Sequence, residues 1–364
     1  MQRITVIHTG AVGDLVQALP ALAAVRRAHP EAEVTFVGRP ERGDLARAAG
    51  VADARVDLET SGLWRLTAEG GGAVPGAAWL AEADLVLDFL TGGALASRTP
   101  AGPRVVTLRS LPPEDWAQPA AAFVVKEVCA ALGLPAPADD RPAIALDADA
   151  VEAGRRGLEA RGVAGPLVLV HPGSGSVRKN WPMERFVAVA DRVRRETDRA
   201  VVWLAGPAEV ERGTVPGGGE TVLSDLSLVE AAAVCGRAEV YLGNDSGMTQ
   251  IAAAVRMGEA ANEAHWRIPA RRDQWHPAVQ KTTVDLRSTA KRGAGKRTAG
   301  QDRPWHSAET ETRRTTPVVA LFGPTDARVW APRGDHVRVL RSRDGTMAGI
   351  GVEAVWVAVA TAVG

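Results

Sequence analysis

The chain has 364 residues, with 43 Lys and Arg balancing 43 Asp and Glu, 46% apolar residues and 24% charged residues. That length can fill two ordinary domain cores, and the composition belongs to a globular chain rather than a disordered or fibrous one. Balanced charge removes the global electrostatic pull used by binders of nucleic acid and anionic membranes, so no nucleic-acid partner is expected.

Ile4–Ile7 reads as the first strand. No charged leader with an apolar stretch precedes it, so a secretory signal is not expected and a cytoplasmic protein is. No later apolar run reaches the roughly 18 residues that span a bilayer. The segment His8-Thr9-Gly10-Ala11-Val12-Gly13-Asp14 joins this strand to a helix over Leu15–Ala28. Gly10 and Gly13 permit a tight turn and close backbone approach. No Gly-Lys-Ser/Thr follows, and the third glycine of a dinucleotide fingerprint is missing. Asp14, at the helix start and facing a crevice, is on position alone as good a helix cap as a catalytic carboxylate.

The next strand, Glu33–Val37, runs into Gly38-Arg39 instead of the acidic residue that holds a dinucleotide ribose, which disfavours a dehydrogenase. Helix Arg42–Ala49, strands Leu85–Phe89 and Arg104–Leu108, and helix Ala120–Leu132 continue the series. Continuous β-branched runs alternating with helices predict a parallel sheet covered on both faces. Cys129, and later Cys235, sit in Ala/Val-rich helices and read as small apolar filler rather than a disulfide.

A Pro/Ala/Asp-rich stretch from Leu134 to Pro142 marks a boundary. It separates a first domain over residues 1–150 from a second over 151–345, with 346–364 as a closing helix. The second series comprises strand Leu167–His171, helix Pro182–Thr197, strand Val201–Ala205, helix Ser227–Cys235, strand Val240–Gly243 and strand Pro317–Phe322.

Three loops of this series end at matching strand ends. In His171-Pro172-Gly173-Ser174-Gly175-Ser176-Val177-Arg178-Lys179-Asn180-Trp181-Pro182, amides, hydroxyls and two cations suit a diphosphate, although a solvated basic loop would read similarly. In Gly243-Asn244-Asp245-Ser246-Gly247-Met248-Thr249-Gln250, the amides of Ser246 to Thr249 open a helix and make a second anion site, with Asp245 in the cleft or capping that helix. Phe322-Gly323-Pro324-Thr325-Asp326 alone is only a turn. Facing sheets place such loops across a cleft at the carboxyl ends of the strands, where open α/β folds bind ligands.

Residues 256–315 break the pattern. They lack apolar periodicity and carry 13 Lys/Arg against 7 Asp/Glu. They read as a disordered insert leaving the side of the second domain away from the cleft. Its pairs His265-Trp266, Trp275-His276 and Trp305-His306 match no compact zinc spacing.

Taken together, these motifs resemble the family 9 glycosyltransferases, the ADP-heptose:lipopolysaccharide heptosyltransferases, from Ile4 to about Leu340 apart from the insert. The resemblance rests on Gly13-Asp14 with Leu19-Pro20-Ala21-Leu22, His171-Pro172-Gly173, Lys179-Asn180-Trp181-Pro182, Asp245-Ser246-Gly247 and Phe322-Gly323-Pro324-Thr325-Asp326. It implies an α/β fold of GT-B architecture, two Rossmann-like doubly wound parallel-sheet domains facing a cleft, with no metal or other cofactor. The first domain would receive the acceptor and the second the nucleotide sugar.

By resemblance, Asp14 stands as general base beside Gly13, and Lys179 as the catalytic phosphate-binding lysine. Ser174, Ser176 and Arg178 fall in the diphosphate loop, Glu209 where a carboxylate holds the ribose, and Leu226 under the adenine. Asp245, Ser246, Gly247, Met248, Thr249 and Gln250 fall in the loop gripping donor sugar and phosphate, with Asp326 in the same substrate-binding set. Gln250 departs from the family, many members of which have histidine there. The implied reaction is inverting, metal-independent transfer of a sugar, heptose from ADP-heptose, to a lipopolysaccharide-type or other glycan acceptor, with peripheral contact with the inner membrane face. A nucleotide-sugar epimerase of the same fold and a non-catalytic nucleotide-sugar-binding protein are the alternatives.

Overall fold

The computed structural model describes residues 1–63, 78–90, 95, 102–213, 216, 219–257 and 315–363. The expected insert lies outside the described residues except at its ends, Arg256–Met257 and Thr315.

The first half runs β1 (Arg3–Ile7), α1 (Val12–Ala28), β2 (Glu33–Gly38), α2 (Pro40–Ala48), β3 (Ala54–Asp57), α3 (Ala78–Ala81), β4 (Leu85–Asp88), β5 (Arg104–Thr107) and α4 (Ala120–Leu132). The second runs β6 (Ile144–Ala145), α5 (Ala148–Glu159), β7 (Leu167–His171), α6 (Met183–Glu196), β8 (Ala200–Leu204), α7 (Pro207–Glu211), β9 (Thr221–Leu223) and α8 (Leu228–Arg237). It continues through β10 (Val240–Asn244), α9 (Gly247–Ala254), β11 (Val255–Arg256), β12 (Val318–Phe322), α10 (Ala327–Trp330), β13 (Val337–Arg341) and α11 (Val352–Val363).

Both main sheets are wholly parallel, as the uninterrupted apolar runs require. Their orders are β3-β2-β1-β4-β5 and β13-β12-β10-β7-β8-β9. Each sheet reverses winding direction once, between β1 and β4 and between β7 and β10, and a crevice opens outside the carboxyl ends at such a reversal. The segments after β1, β7 and β10 are those singled out from sequence, so the topology brings them to the two switch points. Central strands β7, β10 and β12 are buried at every residue.

Two expectations are corrected. Helix α1 begins at Val12 rather than Leu15, so Gly13 and Asp14 belong to its first turn and not to the turn before it. The two halves are also not wholly separate: beside clusters confined to one half, one cluster crosses between them. Helix α1 packs on α9, and one apolar cluster joins Leu15, Leu19 and Leu22 to Ile251, Ala254, Val255 and Met257. The boundary stretch is tied down as well, since β6, just after it, pairs in parallel with β11. Strand β11 directly continues α9, so the crossover is anchored to the far end of the helix that starts at the cleft.

Candidate functional site

On the first-sheet side, the carboxyl end of β1 delivers His8, which is buried between the rings of Phe36 and Phe89. Burial, reinforced by the Arg42 charge, holds its imidazole down at about 4, so it is neutral near pH 7, and neither ring nitrogen has a hydrogen-bond partner among the described residues. Gly10 is required for close approach. A Cβ there would lie 2.8 Å from His8 Cε1 and 3.0 Å from Asp14 Oδ2.

Asp14 is half-buried, and its Oδ2 accepts the Ala11 amide at 2.8 Å. Capping engages one oxygen only. The other takes no hydrogen bond from the described residues, so the cap and the site-facing reading hold at once. Burial pushes the Asp14 carboxyl above the ordinary aspartate range, opposed by the Ala11 amide and by the charges of Arg42 and Lys179.

On the second-sheet side, Asn244 organises the loops. It is fully buried at the end of β10, accepts the Trp181 amide at 3.0 Å and donates to Pro172 O at 2.7 Å. Both ends of the 172–181 loop therefore hang from one side chain. Ser174 is buried and turned into this loop, its hydroxyl 2.7 Å from Ser176 O and 2.6 Å from Asn180 Oδ1. A 3-10 turn, Val177–Lys179, brings Lys179 Nζ to 2.8 Å from Asp245 Oδ2. Ser246 caps α9 through the Thr249 amide, and the Thr249 hydroxyl, fully buried, bonds to Asn244 O. Behind the loop, His171 Nδ1 donates to Leu204 O at 2.9 Å, its imidazole held below its usual range by burial.

The two sides meet. Gly13 and Gly247, each at the start of a helix, approach so closely that a Cβ on Gly247 would lie 2.9 Å from Val12 Cβ and 3.1 Å from Gly13 N. Beside this contact lies a cavity of about 430 Å³ lined by Ala11, Gly13, Asp14 and Gln17 from the first half. Gly175, Lys179, Asp245, Ser246, Gly247, Gln250, Thr325 and Trp330 line it from the second. Two helix N-termini, each carrying partial positive charge, thus open on one space beside a carboxylate and an ammonium. Gln250 bridges the halves: its Oε1 accepts from Gln17 Nε2 at 2.8 Å and its Nε2 donates to Trp330 O at 2.6 Å.

Seven residues named from sequence, Gly13, Asp14, Lys179, Asp245, Ser246, Gly247 and Gln250, therefore share one cavity. The others do not line it. Arg178 is exposed, and Ser174, Ser176 and Thr249 serve the loops that shape it. Glu209 is buried, accepting the Gly206 amide at 2.8 Å and packing against Gly173. Leu226 and Met248 pack against the core of the second sheet. Asp326 caps α10 and pairs with Arg328, which holds its carboxyl down at about 2, while neighbouring Thr325 faces the cavity instead.

Gln17, Thr325, Trp330 and Arg42 were not anticipated as site residues. Gln17 alone had a readable signal, since it follows Asp14 by three positions and so shares its helix face.

Comparison with known proteins gives one family match and several fold matches. Residues 118–258, which hold the Lys179 loop, Glu209 and the Asp245–Gln250 segment, match the family described as glycosyltransferase family 9 (heptosyltransferase). Among solved structures, a family 9 glycosyltransferase from Veillonella parvula DSM 2008 superposes with TM-score 0.70 at 17% identity, over 100% of this chain and 97% of that one. The ADP-heptose lps heptosyltransferase II of E. coli superposes with TM-score 0.67 at 15% identity, over 100% and 98% of the two chains. E. coli heptosyltransferase WaaC with ADP gives 0.62 at 16% identity, over 99% and 100%. No curated protein matches. At these identities the superpositions establish the fold, which is the two-sheet GT-B architecture.

Proposed function

We propose that this chain, whose residues 118–258 match the family 9 glycosyltransferase model and whose fold is shared with a family 9 enzyme, moves a sugar from a nucleotide diphosphate to an acceptor hydroxyl with inversion. The donor is heptose on ADP, by likeness to the heptosyltransferases that share the fold. The acceptor is a lipopolysaccharide-type glycan, reached at the inner membrane face. That contact is peripheral in this reading, which fits the lack, among the described residues, of any helix long and apolar enough to cross a membrane.

The observation that carries the proposal is a carboxylate and an ammonium from opposite halves, Asp14 and Lys179, lining one cavity. The unpaired Asp14 oxygen takes the proton of the acceptor hydroxyl as that oxygen bonds to the sugar's anomeric carbon. The bond from that carbon to the phosphate oxygen breaks, and the diphosphate leaves with the electron pair. Lys179, released from Asp245 as the phosphate arrives, and the N-terminal amides of α9 meet the growing negative charge. Burial that raises the Asp14 pKa makes it a stronger base than a solvated aspartate. Glu209, against Gly173 behind the diphosphate loop, takes the ribose hydroxyls.

Asp14→Asn tests this. Transfer from ADP-heptose to a heptose-deficient lipopolysaccharide acceptor is expected to fall about 10²–10⁴-fold, the usual worth of a general base. ADP affinity should stay within about twofold, since Asp14 faces the acceptor side. Full transfer by the variant would overturn the assignment. Interconversion of the free nucleotide sugar without acceptor would identify an epimerase instead.

A further inference from the structure

We propose that Arg42 is a positioning residue for Asp14: from the first turn of α2 it clamps the backbone leading into α1 and sets an uncommitted cation against the carboxylate. The proposal rests on reading Asp14 as the base.

Arg42 Nη1 donates to two consecutive carbonyls, Thr9 O at 3.1 Å and Gly10 O at 2.5 Å. These residues form the segment between β1 and α1, and a Cβ on Gly10 would lie 3.0 Å from Asp14 Oδ2. Local sequence explains how a residue so distant along the chain arrives there. A Cβ at Gly38 would lie 2.6 Å from His8 O, so only glycine lets the end of β2 close on the end of β1. Pro40 then starts α2 with its fixed φ, and Arg42 falls on the first turn facing the Thr9–Gly10 carbonyls. The guanidinium makes no ion pair among the described residues, and its Nε is buried without a hydrogen-bond partner. A half-buried cation without an ion pair finds its counter-charge at longer range, and the carboxylate on the clamped segment is Asp14.

The charged groups around Asp14 are Arg42 on one side and Lys179 on the other, the latter tied to Asp245. Around Arg42 itself stand Glu41, Arg39 and Asp14, with His8 held neutral beside it. Burial lowers the Arg42 pKa while Glu41 and Asp14 raise it. With Lys179 paired to Asp245, Arg42 is the cation that, after the Ala11 amide, most favours the ionised form of the half-buried carboxylate. Removing it leaves Asp14 protonated to higher pH and its segment unclamped.

The full chain carrying Arg42→Gln or Arg42→Lys tests this in two ways. The first needs no activity: melting temperature is followed against pH with and without Asp14→Asn. Because burial raises the native Asp14 pKa, the Asp14 protein loses stability relative to Asp14→Asn as pH climbs from the unfolded aspartate value to the native one, then levels off. In the Arg42→Gln background the levelling is expected at higher pH, and in Arg42→Lys near its original place. The second readout is the pH profile of kcat/KM with ADP-heptose. Its acid limb should move up by about one unit in Arg42→Gln, a tenfold loss below the limb that closes above it, with ADP affinity unchanged. Arg42→Lys should hold the limb in place and lose kcat at every pH, because the shorter lysine stem cannot bring its ammonium to both carbonyls.

An unmoved Asp14 titration and an unmoved limb in Arg42→Gln would overturn the proposal, whether activity is full or uniformly low. If Arg42→Gln does not fold, a displaced limb in Arg42→Lys overturns it and an undisplaced one supports it. Absence of transfer by the unaltered chain would sink the glycosyltransferase reading alone, since the melting series still measures Arg42 against Asp14.

Discussion

Gly173 illustrates how little slack the second-sheet side of the cleft has at single residues. A Cβ there would lie 2.1 Å from Glu209 Oε1 and 2.3 Å from Glu209 Cδ, and both residues are buried. Any side chain must expel Glu209 from its seat against the Gly206 amide, where its Oε2 accepts at 2.8 Å. Gly173→Ala is therefore expected to weaken ADP binding at least about tenfold by calorimetry, the scale of losing one charge-assisted hydrogen bond. Gly165→Ala, where the added Cβ meets nothing within 4 Å, is the matched control and should bind normally. Residues of this kind divide by how local their reasons are. Asp14, Lys179 and Asp245 could be placed at the cleft from sequence because the segments that follow buried strands emerge at a sheet's carboxyl edge. The role of Arg42 could not, because it depends on Gly38 letting β2 close on β1, a contact with no sequence signature. Asp326 was misleading for a related reason: its carboxylate is spent on Arg328 and the α10 cap, and Thr325 takes the cavity position.

Single helices are held by local chemistry that can be tested apart from the site. Ser227 and Glu230 form a reciprocal capping box on α8, the Ser227 hydroxyl accepting the Glu230 amide and the Glu230 carboxylate accepting the Ser227 amide. Ser227→Ala should lower stability by about 1 kcal/mol in urea denaturation and leave ADP affinity untouched. Element by element, central strands were the easiest to read, since β7, β10 and β12 are covered on both faces and their sequences are unbroken apolar runs. The edge strands β3, β9 and β13 escaped notice. Half-exposed residues and charges such as Arg55 and Arg338 dilute their pattern, and short charged edges are how sheets avoid pairing with other chains. The early start of α1 was missed because Gly13 and Asp14 look like turn residues, although an acidic residue in a first turn is favourable to a helix.

At the scale of the whole molecule, the relation of the two halves decides whether Asp14 and Lys179 face one space. Alternation of strands and helices announced two parallel sheets and a cleft. It could not reveal that α1 and α9 share an apolar core, because periodicity shows that a face is buried and not which face it meets. The shared core means that closure is supported by packing around Ile251 and Ala254 as well as by polar contacts at the rim. Gln250 is the polar contact that spans the cleft, accepting from Gln17 and donating to Trp330 O. An amide supplies one acceptor and one donor at any pH. A neutral imidazole also has one of each, whereas an imidazolium has two donors and no acceptor. Gln250→His should therefore keep the bridge and near-normal kcat/KM at about pH 8. Below roughly pH 6, where an ordinary histidine protonates, the added proton would face Gln17 Nε2–H, and the bridge would open. X-ray scattering against pH is expected to show the variant expanding over that range while the unaltered chain stays constant, with activity falling in parallel. A variant indistinguishable from the unaltered chain across the range would mean that the apolar contact of α1 with α9 alone holds the cleft, and that the glutamine bridge is incidental to closure.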